Sequence, residues 1–151
     1  MRIKSVKARE VLDSRGKMCE FCRIASKDIR ASCVYEDDYV MAFLDNRPAS
    51  DGHTLVIPKK HFELIYDIPD EEIAYLFKIV KKVSVAVRET VNPDGLTIIQ
   101  RNGKAAGQHI QHLHVHIIPR YRGQRLLRME EIPEASIERL DDTASLLRQH
   151  L

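Results

Sequence analysis

The sequence predicts an α+β fold, and three observations lead to this prediction. Between His112 and Ile117, histidine alternates with aliphatic residues, and a period of two is typical of a strand with one buried face. From Ile73 to Val87, apolar residues recur at spacings of three and four, which indicates a helix with one buried face. Further β-rich runs lie on both sides of this helix. The predicted order is therefore strands, helix, strands, with a second helix at the C terminus.

Residues 1–17 are predicted to form an N-terminal extension. They carry six basic and two acidic residues, show no amphipathic period and end near the turn-prone cluster of residues 13–16. Residues 3–16 resemble the N-terminus of enolase, whereas nothing later in the chain does. Two interpretations stay open: a start assigned too early or a remnant of a neighbouring gene, with Met18 as the functional beginning, or an ordinary edge strand.

The main domain is predicted over residues 18–125. Two β-rich runs surround an acidic turn in residues 34–45, as in a hairpin, and a buried strand over residues 53–58 is stopped by proline. Pro69 and the acids that follow it are typical of the first turn of a helix. After a strand over residues 96–100, a turn and a loop of small residues lead into the histidine strand.

Residues 126–151 are predicted to be a C-terminal helical tail. The helical pattern opens at Pro133, and its apolar positions from Ile137 to Leu151 alternate by three and four. This stripe needs a partner. It packs either on its own sheet or across a dimer, and the sequence leaves both open.

Composition limits the classes of function. The chain has 151 residues, of which 44% are hydrophobic and 30% charged, which predicts one soluble domain with a real core. No apolar run approaches the roughly 20 residues of a membrane span, and no secretory signal opens the chain, so a cytoplasmic location is expected. Outside residues 1–17, acidic residues outnumber basic ones by two. Binding to a polynucleotide is therefore not expected.

The three histidines at positions 112, 114 and 116 are expected to share one strand face, with Leu113, Val115 and Ile117 reaching the core on the other. Such a face is a satisfied polar surface, a zinc-chelating site, or a site of nucleophilic catalysis on phosphorus. A neutral imidazole, with an ordinary pKa near 6.5, can attack without a separate strong base. The small residues between Asn102 and the strand let backbone N–H groups approach an anion, which favours the third interpretation.

Residues 107–120 resemble the histidine triad motif, with the sequence GQHIQHLHVHIIPR. Residues 52–61 are similar to the second signature of that family, and the match runs from about Cys19 to Arg120. The resemblance implies a HIT-like fold with a five-stranded antiparallel sheet. It also implies a nucleotide hydrolase or transferase that acts on a purine nucleotide, either a 5′-nucleoside phosphoramidate or a dinucleoside polyphosphate.

The resemblance implies a role for each matched residue. His114 attacks the α-phosphate and forms a nucleotidyl-histidine, which water cleaves to a nucleoside monophosphate, while His112 and His116 flank the phosphate and orient His114. Asn102 and Gln108 donate hydrogen bonds to phosphate oxygens. His109 stands where many relatives have a small hydroxyl residue, so the preferred leaving group stays open. The other residues matched to the nucleotide site are Asp45 for the ribose, Gly107 beside the phosphate, and Phe21, Ile24, Phe43 and Leu44 for the base.

Cys19 and Cys22 are spaced as a zinc-binding or a redox pair. A redox pair is disfavoured because no helix pattern follows Cys22. Resemblance to the prokaryotic zinc-containing members implies a structural zinc held by Cys19, Cys22, His61 and His112. His53 is the alternative to His61, and two free buried cysteines are the alternative to zinc. Cys33 has no partner by spacing.

Two rival functions remain from the sequence. One is a zinc-dependent hydrolase with the metal on the three triad histidines, and the other is a non-catalytic protein that binds purine nucleotides. The chain has no tryptophan, which favours a prokaryotic-type member or a dinucleoside polyphosphate hydrolase over a close phosphoramidase relative. The resemblance also implies a homodimer with a ten-stranded sheet and the helix of residues 73–87 at the contact.

Overall fold

The structure, a computed structural model, describes residues 11–151, and the expectations for residues 1–10 lie outside it. Five antiparallel strands form one sheet in the order β1-β2-β3-β5-β4, which confirms the predicted α+β, HIT-like fold. In chain order the elements are α1 (Glu20–Ala25), β1 (Cys33–Glu36), β2 (Val40–Leu44), β3 (Thr54–Pro58), α2 (Asp70–Val91), β4 (Gly95–Gln100), β5 (Val115–Arg120) and α3 (Ile137–Arg148). Short 3-10 turns cover Lys104–Ala106 and Met129–Glu131.

The hairpin of β1 and β2 forms as predicted, and Asp37 closes its turn. The carboxylate of Asp37 accepts hydrogen bonds from the backbone N–H groups of Tyr39 at 2.7 Å and Val40 at 2.8 Å. A short side chain that bonds to the backbone two and three residues on is what makes aspartate favourable in turns. All five residues of β2 are buried, and so are all five of β3.

Helix α2 covers one face of the sheet and anchors the histidine strand. Its buried stripe includes Leu76, Val80 and Val83, which lie in one core cluster with Leu113 and Val115. Complete burial of an aliphatic side chain contributes roughly 1.5–3 kcal/mol. The aliphatic half of the alternation therefore holds this segment in place, and the histidines are left to face the opposite side of the sheet.

Helix α1 lies on that opposite side, and here the prediction that no helix follows the two cysteines is wrong. Cys19 is the N-cap of α1, and its Sγ accepts a hydrogen bond from the backbone N–H of Cys22 at 3.3 Å. A helix of six residues is too short to show a 3.6-residue period, and its cap is a thiol instead of the usual hydroxyl or carboxylate. Phe21, Cys22 and Ile24 are buried against β2 and β3.

Two element boundaries differ from the prediction. The strand expected from His112 begins at Val115, because the ladders to β3 and β4 both end there. The preceding residues lie outside both ladders, and the Leu113 N–H is bonded to the Phe62 carbonyl at 2.6 Å. Helix α3 starts at Ile137, three residues after the predicted Pro133–Glu134 opening, because the Ser136 side chain caps it.

Helix α3 packs on the sheet of its own chain. Of the two partners that the sequence left open for its apolar stripe, the sheet and a second copy, the structure shows the sheet. Ala144 and Leu147 are buried in the core cluster of α2, and α3 contacts β1, β2 and α2. The described part of the N-terminal extension is a tight loop closed by a single bridge between Leu12 and Met18, outside the main sheet. None of the helices within residues 11–151 combines the length and the apolar content that a membrane span needs.

Candidate active site and cysteine–histidine cluster

A cavity of about 570 Å³ opens on the sheet face opposite α2. Its wall combines α1, the ends of β2 and β3, the loop before β5 and the segment before α3. Nine of the residues predicted for the nucleotide site line it: Phe21, Ile24, Phe43, Leu44, Asp45, Gly107, His109, His114 and His116. These nine residues therefore face one continuous space.

His114 lies on the cavity wall with its tautomer fixed by the backbone. Its Nδ1 lies 2.7 Å from the carbonyl oxygen of His112, which can only accept a hydrogen bond, so Nδ1 carries the proton. The other ring nitrogen, Nε2, then has a free lone pair. Phe21 packs edge-on against the ring at 5.2 Å between centroids. Burial lowers the pKa of His114 to about 4, so the imidazole is neutral near pH 7.

A chain of hydrogen bonds through Ala49 and His53 fixes the tautomer of His116. The backbone N–H of Ala49 donates to Nδ1 of His53 at 3.0 Å, so the proton of His53 lies on Nε2. That Nε2 lies 3.0 Å from Nδ1 of His116, and 3.6 Å from a carboxylate oxygen of Asp45. Because Nδ1 of His116 accepts, its proton lies on Nε2. Neighbouring rings of the triad therefore offer a lone pair at His114 and an N–H donor at His116.

Folding stability is expected to fall in mild acid because His53 and His116 are buried as neutral rings. Burial lowers the pKa of His53 to about 4 and the pKa of His116 to about 3. The unfolded chain takes up these protons near pH 6.5, so the stability present above that pH is lost progressively as the pH falls toward 4. Between pH 7.5 and 5.0 the loss is expected to be about 2 kcal/mol for each ring.

Urea unfolding at the two pH values measures this loss. His53→Gln should make the fall in unfolding free energy shallower by about that amount. His150→Gln, at an exposed position, is the matched control and should leave the fall unchanged. An identical pH dependence in His53→Gln and the unaltered protein would contradict the assignment.

A second cluster lies behind the triad, where Cys19, Cys22, His61 and His112 bring four ligand atoms together. The Nδ1 of His112 lies 3.2 Å from Cys19 Sγ, 3.5 Å from Cys22 Sγ and 3.3 Å from His61 Nδ1, and Cys22 Sγ lies 3.3 Å from His61 Nδ1. All four atoms lie within 4.8 Å of one another. His53 is bonded to His116 instead, so the geometry places His61 and not His53 in this cluster.

These distances fit a tetrahedral zinc site. Zinc bonds of 2.3 Å to sulfur and 2.0–2.1 Å to nitrogen place neighbouring ligand atoms about 3.3–3.8 Å apart. The second-shell contacts fit too, because the Nε2 of His112 lies 2.8 Å from the Pro58 carbonyl, which leaves the Nδ1 lone pair facing the cysteines. Hydrogen bonding from Cys22 lowers the pKa of Cys19, so one thiol of the pair is poised as a thiolate, the form that binds metal.

Two predicted phosphate donors have a different place in the structure. Gln108 is buried, and its side chain bonds to the backbone of Gly103, Glu63 and Ile110. Asn102 exchanges side-chain hydrogen bonds with Gln100. Neither residue lines the cavity, because both amides are engaged in holding the loop. His112 is also absent from the wall, and its ring belongs to the cysteine–histidine cluster.

The sequence interpretation missed one wall of the cavity. The segment before α3 contributes Met129 and Ile132 to the lining, and the first turns of α3 contribute Ile137 and Leu140. The sequence analysis recognised Ile137 and Leu140 only as part of an apolar stripe, which carries no information about the part of the sheet it covers, and it did not single out Met129 or Ile132. The C-terminal tail is thus part of the site.

Comparison with known proteins finds a matching family model and several relatives. The family model described as the HIT domain matches residues 26–123. The adenosine 5′-monophosphoramidase of Schizosaccharomyces pombe is 40% identical over 102 residues, which cover 68% of this chain and 74% of that protein. The adenylylsulfatase of Arabidopsis thaliana is 36% identical over 137 residues, which cover 88% of this chain and 69% of that protein.

The fold is also similar to that of a solved structure. The crystal structure of a zinc-bound histidine triad family protein from Mycobacterium smegmatis superposes with a TM-score of 0.76 at 37% sequence identity. The match covers 87% of this chain and 91% of the other.

Proposed function

Because this chain belongs to the HIT domain family, we propose that it is a nucleotide hydrolase that cleaves at the α-phosphate of 5′-nucleoside phosphoramidates or dinucleoside polyphosphates. The observation that carries the proposal is the free lone pair on Nε2 of His114, in a cavity large enough for a nucleotide. Two relatives are named for reactions at an adenosine 5′-phosphate, a phosphoramidase and an adenylylsulfatase.

In the proposed reaction, Nε2 of His114 forms a bond to the α-phosphorus while the bond to the leaving group breaks. The leaving group departs with the electron pair of the broken bond, and an amine leaving group takes up a proton from solvent as it departs. This step yields the free leaving group and a nucleotidyl-histidine. Water then attacks the same phosphorus and loses a proton to solvent, while the bond from phosphorus to Nε2 breaks and its electron pair returns to His114. The nucleoside monophosphate is released. The Nε2–H of His116 donates to a phosphate oxygen, where negative charge develops in both steps.

The cavity wall supports a definite orientation of the nucleotide. Phe21, Ile24 and Phe43 provide an apolar, partly aromatic surface on which a purine can stack. Asp45 lies on the same wall, and burial raises its pKa while the backbone N–H of Arg47 donates to its carboxylate at 2.9 Å. We assign Asp45 to the ribose hydroxyls, which leaves His114 and His116 for the phosphate.

We also propose a structural zinc ion held by Cys19, Cys22, His61 and His112. Four protein ligands leave no open position for water, so the ion would supply rigidity and no chemistry. The ion would contribute to the reaction indirectly. It would hold the ring of His112, and the carbonyl oxygen of the same residue accepts a hydrogen bond from Nδ1 of His114.

A catalytic metal on the three triad histidines is not favoured by the geometry. The ring of His112 faces the cysteines, whereas Nδ1 of His116 faces His53 and Nδ1 of His114 faces a carbonyl. The nitrogens that would have to converge on one ion are engaged in different directions. Non-catalytic binding of a purine nucleotide differs from the proposed function only in the absence of turnover.

Turnover and covalent capture test the proposal together. The protein is mixed with adenosine 5′-phosphoramidate or diadenosine triphosphate, and AMP release is followed over time. A rapid denaturing quench at alkaline pH preserves the acid-labile P–N bond, and intact-protein mass spectrometry should then show a fraction that carries one adenylyl group. AMP binding without AMP release and without this adduct would favour the non-catalytic alternative.

The homodimer and the cytoplasmic location stay predictions. Strand β4 lies at an edge of the sheet, and Ile98 on it and Phe77 and Val85 on α2 are exposed apolar residues. Within residues 11–151 no strand pairs with the outer edge of β4, and such an edge flanked by apolar side chains supports pairing with a second copy.

A further inference from the structure

Residues 11–18 form a closed loop beside the cysteine–histidine cluster, called the N-terminal loop below. The buried carboxylate of Asp13 closes this loop from the inside. It accepts hydrogen bonds from the backbone N–H groups of Arg15 at 2.8 Å and Lys17 at 3.1 Å, and from the Arg15 guanidinium at 2.6 and 3.0 Å. The Asp13 N–H in turn donates to the Lys17 carbonyl at 2.8 Å. The conformation of the loop is therefore set largely by one aspartate.

The loop is attached first to a cysteine of the cluster. The backbone N–H of Cys19 donates to the Val11 carbonyl at 3.0 Å, so the loop is closed at the residue whose thiol belongs to the cluster. The Val11 side chain packs against the core cluster that contains Cys19 and Cys22. The position of the Cys19 thiol is therefore fixed from two sides, by the loop before it and by helix α1, which it caps.

The second attachment reaches a histidine of the cluster through Glu63. The Ser14 backbone N–H donates to Oε1 of Glu63 at 2.5 Å. The same oxygen lies 3.9 Å from Nε2 of His61, whose Nδ1 lies 3.3 Å from Cys22 Sγ. A neutral histidine that binds a metal through one ring nitrogen carries a proton on the other, and a carboxylate on that side orients the ring and raises its basicity. Glu63 lies on that side of His61, and the loop holds its carboxylate there.

The charges around the second attachment are complementary. The side chains of His61 and Glu63 are only 18% and 20% exposed, so water screens their attraction only in part. Hydrogen bonding to Asp13 raises the pKa of Arg15, and the negative charges of Glu63 and Cys19 raise it further. The loop therefore brings a cation to the side of the cluster on which a carboxylate and a thiolate lie.

We propose that the N-terminal loop slows release of the zinc ion, and that Glu63 is a positioning residue for the ligand His61. The loop links Cys19, which caps α1, to His61, which follows β3, so departure of either ligand from the ion disturbs a contact of the loop. This inference rests on the zinc ion proposed above and not on the hydrolase reaction. It gives residues 11–17 a role in metal binding, which the interpretation of Met18 as the functional beginning does not predict.

The rate of zinc release to an excess of a chromogenic chelator tests the proposal in the full chain. Glu63→Gln keeps the size of the side chain and removes its charge, whereas Asp13→Ala removes the group that closes the loop. Each variant should release zinc about 10- to 100-fold faster than the unaltered protein. Glu89→Gln and Asp142→Ala, at exposed positions of α2 and α3, are the matched controls and should leave the rate unchanged. With cobalt in place of zinc, both test variants should keep the absorption spectrum of a tetrahedral site with two sulfur ligands.

Two further measurements separate this role from a general loss of stability. Because Asp13 and Glu63 act through one contact, the double variant should release zinc within about 3-fold of the faster single variant, instead of showing the product of the two effects. Release should also depend little on urea below the unfolding transition, because opening of a short loop exposes little surface. Release through global unfolding would instead accelerate steeply with urea.

Three results would overturn the inference. If both single variants release zinc at the rate of the unaltered protein, the loop does not retain the ion, and the zinc proposal stands without it. If the two effects multiply, or if release accelerates steeply with urea, the loop only stabilises the fold. A protein that takes up neither zinc nor cobalt would overturn the zinc ion and the role of the loop together, and AMP release tests the hydrolase proposal separately.

Discussion

Replacing His114 by alanine is expected to lower AMP release by about 10³-fold or more and to abolish the adenylyl-protein adduct. The reason is that Nε2 of His114 is the nucleophile in the proposed reaction, with its lone pair fixed by the hydrogen bond from Nδ1 to the His112 carbonyl. Steady-state kinetics and intact-protein mass spectrometry measure the two effects. Nucleotide affinity should change far less, because the apolar wall and Asp45 are untouched.

Two controls separate loss of the nucleophile from loss of the fold. His150→Ala removes an exposed imidazole and should leave turnover unchanged. In His114→Ala, free imidazole at millimolar concentration should restore part of the rate, because it can occupy the vacated space beside Phe21 and attack the same phosphorus. Full turnover in His114→Ala would show that the reaction does not pass through this residue.

Replacing Cys22 by serine is expected to release the zinc ion and to lower the stability of the domain strongly. Removal of one thiolate leaves an incomplete tetrahedral set, and the binding free energy of a structural metal contributes directly to folding. We expect a loss of about 4 kcal/mol, or about 10 °C in Tm for a chain of this size. Metal content by mass spectrometry and thermal unfolding give the two readouts.

Cys33→Ser is the matched control for this substitution. Cys33 is half-buried outside the cluster, so its replacement should preserve one zinc ion per chain. Chelation of the unaltered protein should reproduce the Cys22→Ser phenotype. Unaltered protein that carries no zinc, or a Cys22→Ser protein that unfolds at the same temperature as the unaltered one, would contradict the structural role.

The sequence predicted features that depend on a repeated local pattern. Helix α2 shows its period over 22 residues, and the aliphatic half of the histidine alternation, from Leu113 to Ile117, is buried as expected. Nine positions that the resemblance predicts for the nucleotide site lie on the wall of one cavity, and neither composition nor periodicity would have brought these positions together.

Features that depend on an unusual helix cap or on a single long-range contact were not predictable. The cap of α1 is a thiol, so no usual signal marked the start of that helix. The side-chain amide of Gln108 forms hydrogen bonds with the backbone of Glu63 and Gly103. Nothing in the local sequence shows that this amide is buried.

His112 performs two duties with different atoms. Its imidazole belongs to the cysteine–histidine cluster, while its main-chain oxygen holds the proton of His114. Every amino acid has a main-chain carbonyl oxygen. A substitution of His112 therefore removes the imidazole from the cluster but keeps the acceptor for His114. A descendant that exchanged both thiols for apolar packing could dispense with the ion and still orient its nucleophile, provided the polypeptide kept its path at this position.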